Sequence, residues 1–352
     1  MKMTEQQNLD QRQKEILYFI IRNFCLDGAP VGSRLISKQC DDMHLSPASI
    51  RNVMADLEDM GLLSQPHISA GRIPTDSALR LMVEDIIKNR SFIFTDTNSL
   101  NFDLEKKSED MNSFFNTLSK ELSDRTGYIG IVLTPTISDL RCKNIHFIKV
   151  DDKKVLVIFV SSYGIVHNKL IQVDEKYSQD QLERISNIVN EHLQGMRITE
   201  MLAKIGAMLR EEMVQYDTLL KQALELSGRS VAHIFSEQNE IYYSGTENFI
   251  TSITPEEFER MVNLYKAFED KAKLFSLLQQ CLKEGEINVI IGSENLNRDF
   301  HDFSLVSATY SSEGAILGTL AVLGPKRMKY DSIMGIVYYS TQIVNKLLTK
   351  NG

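Results

Sequence analysis

LSPASIRNVMADLEDMGLLSQPHISAGRIPTD, residues 45–76, decides how the N-terminal part of this 352-residue chain folds. Ser46 is a good helix N-cap, and Pro47 suits the first helical position, where a missing N–H costs nothing. Ile50, Val53, Met54 and Leu57 form one apolar stripe, and Gly61 ends the helix in a left-handed cap. Leu62 to His67 reads as a strand, Ser69-Ala70-Gly71 as a turn and Arg72-Ile73 as the return. Thr75 then caps a helix from Asp76 to Lys88, with Leu79, Met82, Val83 and Ile86 inward.

Upstream, Gln11 to Phe24 predicts an amphipathic helix that stops at Gly28. Ser33 is placed to cap a short helix, Arg34 to Cys40, with Leu35 and Ile36 facing in. Three helices, a short turn between the second and third, and a hairpin make a winged helix-turn-helix over residues 1–90. The outer face of the third helix carries Ser49, Arg51, Asn52, Ala55 and Asp56. Arg can bond a guanine edge bidentately and Asn an adenine edge, while small residues allow close approach to the groove floor. Ser49, Arg51 and Asn52 lie in the leading half of the helix, the half that a recognition helix presents. Ser33 and Ser46 set helix N-termini near phosphates. Arg72 beside the hairpin tip suits a phosphate or the minor groove, and Gly71 permits close approach. The DNA-contact set is therefore Ser33, Arg34, Ser46, Ser49, Arg51, Asn52, Ser69, Gly71 and Arg72. The bland readings are an exposed helix charge for Arg51 and a turn residue paired to Asp76 for Arg72.

Charge pulls the other way. The chain is −8 overall, and residues 1–90 hold 11 Lys+Arg against 12 Asp+Glu. Within 45–76, Asp56, Glu58, Asp59 and Asp76 face only Arg51 and Arg72. Bulk charge gives no support for a polyanion partner. What helps is position: Asp56, Glu58 and Asp59 fall late in the helix, where they can point away from DNA.

Beyond residue 90, apolar positions from Leu104 to Leu122 suggest a connector helix over 91–126. Tyr128 to Leu133, Ile145 to Val150, Val155 to Val160 and Ile165 to Val173 read as one antiparallel meander. Gln179 to Leu193 is helical. Ile198 to Leu226 is a longer helical stretch between Gly195 and Gly228, followed by short strands at Val231 to Phe235 and Glu240 to Tyr243. Phe258 to Leu282 is helical again. Strands return at Ile287 to Ile291, Phe303 to Tyr310 and Ala315 to Leu323, and a helix over Ser332 to Leu348 follows. The fold class is α+β and multidomain: a β-rich domain interrupted by a mostly helical block and then completed.

Nothing in the sequence assembles an active site. The histidines show no HxxxH or HxxEH spacing, and no phosphate loop, dinucleotide fingerprint or nucleophile elbow occurs. Cys25, Cys40, Cys142 and Cys281 are far apart and read as reduced, mostly apolar residues. Ile291-Gly292-Ser293-Glu294-Asn295 is a candidate site loop, though a strand followed by a turn explains it as well. No enzyme, metal or cofactor is expected. The longest apolar run, near Val155 to Val160, is far too short to span a membrane, and the first residues lack a signal-peptide core, which places the protein in the cytoplasm. The 14 methionines and the Ile198 to Leu226 helix suggest an adaptable apolar surface, with ordinary core methionine as the alternative.

The 45–76 stretch is very similar to the winged-helix segment of the HrcA family of bacterial heat-inducible transcription repressors. Tyr242 to Phe249, Ile291 to Asn295, Ser304-Leu305-Val306 and Gly324-Pro325-Lys326-Arg327-Met328-Lys329-Tyr330 resemble further family segments, in order along the chain. The resemblance implies a winged-helix domain at 1–90, a GAF-like domain in two parts at 127–195 and 285–352, and an inserted dimerising domain at 196–284. It implies a homodimer that represses chaperone genes at an inverted-repeat operator in double-stranded DNA, the CIRCE element, with a GroEL-type chaperonin as supporting partner. Val53 stands where the family usually has Glu, Ser77 to Met82 replaces a segment richer in Gly and Tyr, and Lys326 and Lys329 replace Thr and Asp. The alternative is a GAF-like small-molecule sensor or protein-interaction module, suggested by the acidic balance and the Ile287 to Leu323 strands.

Overall fold

The computed structural model describes residues 9–39, 45–67, 70–92, 111–135, 140–209, 218–235, 240–247, 271–281, 287–312 and 315–351. The expectations for Cys40, Ser69, half of the 91–126 connector and much of 258–282 fall outside them. The fold is α+β with antiparallel sheets.

The N-terminal unit begins with α1 (Gln11–Asp27), started by a capping box between Asp10 and Gln13 and stopped at Gly28. The short α2 (Ser33–Gln39) follows. Ser33 lies inside this helix rather than capping it, because the Gly32 carbonyl accepts from the Leu35 and Ile36 N–H groups. Leu35 is exposed, and Ile36 alone of the expected pair is buried. In α3 (Pro47–Asp59) the Ser46 hydroxyl accepts from the Ser49 N–H at 3.1 Å, with Pro47 in the first turn. The helix ends as its sequence requires. Gly61 takes φ 73°, its N–H reaches Glu58 O, and the Leu62 N–H reaches back to Leu57 O. Ile50, Met54 and Leu57 are buried, with Val53 half-buried against the same core. The hairpin is shorter than its sequence suggests: β1 (Leu63–Ser64) and β2 (Ile73–Pro74) pair over two residues each. Thr75 caps α4 (Asp76–Lys88), which buries Ala78, Leu79, Met82 and Val83.

α5 (Met111–Thr126) packs Phe114, Phe115, Leu118 and Leu122 beneath β3 (Ile129–Leu133), a strand with every residue buried. The 128–173 meander is where the structure departs from the sequence reading. β4 (Cys142–Lys149), β5 (Lys154–Ser161) and β6 (Val166–Gln172) form a three-stranded sheet of their own. β3 instead joins a five-stranded sheet in the order β7-β3-β10-β9-β8, with β7 at Ile241–Ser244, β8 at Asn288–Ile291, β9 at Phe303–Ser312 and β10 at Ala315–Pro325. Four short alternating runs look alike in sequence, and only long-range pairing tells β3 from the rest.

α6 (Gln179–Leu193) closes the edge of the small sheet. Asn190 both donates to the Ile145 carbonyl and accepts from its N–H, while the Ser186 hydroxyl accepts from the Phe147 N–H. α7 (Ile198–Met208) packs on α8 (Thr218–Phe235). Val231 to Phe235 is thus helix, not strand. Gly228 does not stop the helix but lies within it. A Cβ there would stand 3.3 Å from Ile205, so the glycine serves a close helix–helix approach. α9 (Lys271–Gln279) covers the large sheet through Leu274, Leu277 and Leu278. α10 (Tyr330–Asn351) packs across β9 and β10.

Candidate nucleic-acid interface

α2, α3 and the wing converge on a cleft of about 480 Å³ lined by Ser33, Arg34, Arg51, Gly71 and Arg72, with Gln65 on the wing side. Five of the nine residues expected to meet DNA therefore share one surface. Arg34 and Arg51 are exposed, and neither has an ion-pair partner among the described residues. Asn52 is exposed one residue along from Arg51. Ser46 and Ser49 sit at the head of α3, outside the cleft, with their hydroxyls 3.0 Å apart. Because Pro47 lacks an N–H and the Ser46 hydroxyl takes that of Ser49, neither Pro47 nor Ser49 offers an anion a main-chain N–H. Ser69 lies outside the described residues.

Two wing residues have duties that the sequence does not reveal. Arg72 is half-buried and held by Glu58: Nε donates to Glu58 Oε2 at 2.8 Å and Nη2 stands 2.7 Å away. Neither free in the wing nor paired to Asp76, it ties the wing to the end of α3. Its main chain also exchanges two hydrogen bonds of 2.9 Å with Val31. Gly71 lies against the Val31 carbonyl, where any Cβ would collide with backbone. The close approach it permits is to the α1–α2 loop. Glu58 is the residue that sequence reasoning missed. It stands 14 positions from Arg72 across a turn, and no local period links them.

The acids on α3 divide by role. Glu58 is neutralised by Arg72. Asp56 and Asp59 are exposed, and Asp56 shares the Asn52 face, about 6 Å further along the axis. Their distance along the helix is what separates them from Arg51. The surface thus runs from cationic at the cleft to anionic at the far end of α3.

The loop Ile291 to Asn295 follows the end of β8 as a single tight helical turn, Gly292–Glu294. Its Ser293 and Glu294 bond to α4, and burial raises the nearby Cys25 thiol to about 12, which keeps it protonated. Burial does the same for Cys142. Among the described residues no group of three or more His, Cys, Asp or Glu is placed to hold a metal ion, and no helix is long and apolar enough to cross a membrane.

Comparisons with known proteins give one answer. The profile described as HrcA protein C terminal domain matches residues 112–334. A heat-inducible transcription repressor HrcA from Geobacter sulfurreducens is 36% identical over 97% of this chain and 98% of its own. The protein of that name from Syntrophobacter fumaroxidans is 32% identical over 98% of this chain and 99% of its own. A crystal structure described as that of a hypothetical protein, at 2.2 Å resolution, superposes with a TM-score of 0.66. It covers 98% of this chain and 100% of that one at 24% identity, and it shares the fold.

Proposed function

This chain belongs to the HrcA family of heat-inducible transcription repressors, and we propose on that footing that it represses chaperone genes by binding an inverted-repeat operator as a dimer. Residues 9–92 act as a winged helix-turn-helix, with α3 in the major groove and the β1–β2 wing beside the backbone. The observation that carries the reading is the shared cleft. Arg34 and Arg51 stand exposed around it, on a helix pair anchored in the core through Ile36, Ile50, Met54 and Leu57. Arg51 and Asn52 read base edges, Arg34 meets a phosphate, and Ser33, Ser46, Ser49, Gly71 and Arg72 shape the surface around them.

The remainder is a GAF-like domain whose sheet is the five-stranded one, interrupted by a unit that carries the second copy. The separate β4–β6 sheet supports an inserted unit that takes in residues 140–235, where the sequence pattern suggests 196–284. The outer face of the β4–β6 sheet supports a two-copy assembly. There Leu156, Ile158 and Val160 run between Ile148 on one side and Leu170 and Val166 on the other, the last three exposed. Such a patch is apt for protein contact. A GroEL-type chaperonin supports the active form in the cytoplasm. The test is a footprint on the promoter of the chaperone genes, with and without chaperonin. Protection of one inverted repeat, strengthened by chaperonin, is expected; no protection in either condition sinks the reading.

A further inference from the structure

α4 belongs to the N-terminal unit by its buried face and its Thr75 cap, which also bonds the Gly61 and Leu62 carbonyls. Its opposite face reaches residues more than 200 positions away. The Asp76 carboxylate accepts from Lys326 Nζ at 2.8 Å, from the Ser293 N–H at 3.0 Å and from the Ser293 hydroxyl at 3.1 Å. One turn later Arg80 donates to both Glu294 oxygens and to the Val289 carbonyl, the latter at 2.7 Å. Gly292, at φ 48°, lies so close to Asp76 that any Cβ would strike the carboxylate. At the far end of α4, Phe92 meets Tyr338 of α10 edge to face, with ring centroids 5.6 Å apart.

The order of charges makes this clasp specific. α4 presents an acid and then a base, and the body answers with a base and then an acid. Sliding α4 by one turn in one direction sets Asp76 against Glu294, and in the other sets Arg80 against Lys326. Both slips juxtapose like charges, so one register is favoured on either side. The pairs are partly exposed and add little to stability one by one, so their consequence is geometric.

We propose that Asp76, Arg80, Glu294 and Lys326 are positioning residues that fix the angle of the DNA-reading unit on the body, and thereby set which half-site spacing the dimer accepts. This rests on the operator-binding reading above. In a two-copy assembly, the separation of the two α3 helices must match the spacing of turns on the duplex. A unit free to swing tolerates several spacings; a clasped one tolerates a single value.

The experiment uses the full-length chain, its Lys326→Asp variant, which opposes Asp76, and the double variant D76K/K326D, which restores the pair with reversed sign. Each binds three duplexes: the inverted repeat, the same repeat with its halves moved apart by half a turn, and one half-site alone. A fluorophore pair introduced through non-canonical amino acids at Arg12 and Asp180, both exposed and away from the cleft, reports the spread of distances between the N-terminal unit and the body. The parent should prefer the correct spacing strongly. Lys326→Asp should lose at least about tenfold of that preference and broaden the distance distribution, with half-site affinity kept. The double variant should regain both. Lys326→Met, which retains the side-chain stem, should show the same loss should Lys326→Asp fold poorly. Unchanged preference together with an unchanged distribution overturns the clasp. A parent that binds neither repeat nor half-site overturns the operator reading instead, and the fluorescence arm still decides whether the clasp holds the unit in place.

Discussion

α3 and α4 are a matched pair that point their polar chemistry in opposite directions. Each has 13 residues, each starts with a hydroxyl accepting the N–H three residues on, and each buries an apolar stripe in the same small core. Yet Arg51 and Asn52 of α3 face solvent, whereas Asp76 and Arg80 of α4 are bonded to the body of the chain. The two helices teach that amphipathic pattern fixes which side of a helix is buried, but not whether the other side meets water, a ligand or another part of the chain.

The contrast can be broken most severely through the core beneath it. Leu57 is fully buried, so Leu57→Ala should cost about 2–5 kcal/mol in denaturant unfolding and should weaken operator binding with it. A loss under 1 kcal/mol would mean that α3 is held by its caps more than by its stripe. Next comes the exposed face. Arg51→Ala should lower operator affinity by about 1–3 kcal/mol, at one base position, with the unfolding midpoint nearly unmoved. Equal loss of stability and affinity would place Arg51 with the α4 residues as a structural group. Glu58→Gln asks whether Arg72 can change sides. Freed of its carboxylate, Arg72 should add about one charge to the salt slope of DNA binding, at a stability cost below about 1 kcal/mol. An unchanged slope would confine Arg72 to the wing.

The smallest effect is on pH. Burial works to raise the Asp76 pKa, but Lys326 and the Ser293 donors outweigh it and hold the carboxyl below the usual carboxylate range. Its folded value therefore lies below its unfolded one. The contribution to stability is complete above the ordinary carboxylate pKa and is lost as pH falls through the lowered value. Thermal unfolding followed from about pH 7 to about pH 3 should decline more steeply for the parent than for Asp76→Asn. Parallel curves would show that the carboxylate is not engaged in solution.

The caps were legible from sequence because capping is local: Ser46, Gly61 and Thr75 each act within a few residues. The buried stripe of α3 and the exposure of Arg51 and Asn52 follow from one period. What escaped detection was non-local. The Glu58–Arg72 pair crosses the wing, Gly71 answers to the Val31 backbone, and the separation of β3 from β4–β6 depends on strands nearly 200 residues downstream. Lys326 carries no local sign of its partner. Its partner Asp76 is 250 residues away, and the same carboxylate reads in sequence as an ordinary first-turn acid.

The place of β3 in the large sheet also has a consequence for biosynthesis. β3 lies between β7 and β10, so its hydrogen bonds on one side wait for residues 315–325. At roughly 5–20 residues per second, a ribosome takes about 10–40 s to supply them. Through that interval the wholly apolar IGIVL strand has an unpaired edge, and the nascent chain is open to wrong pairing with its neighbours. The N-terminal unit, complete by residue 92, emerges long before the loop and strand that clasp it. Every newly made chain therefore passes through a stage in which α4 is present and its partners Ser293, Glu294 and Lys326 are not.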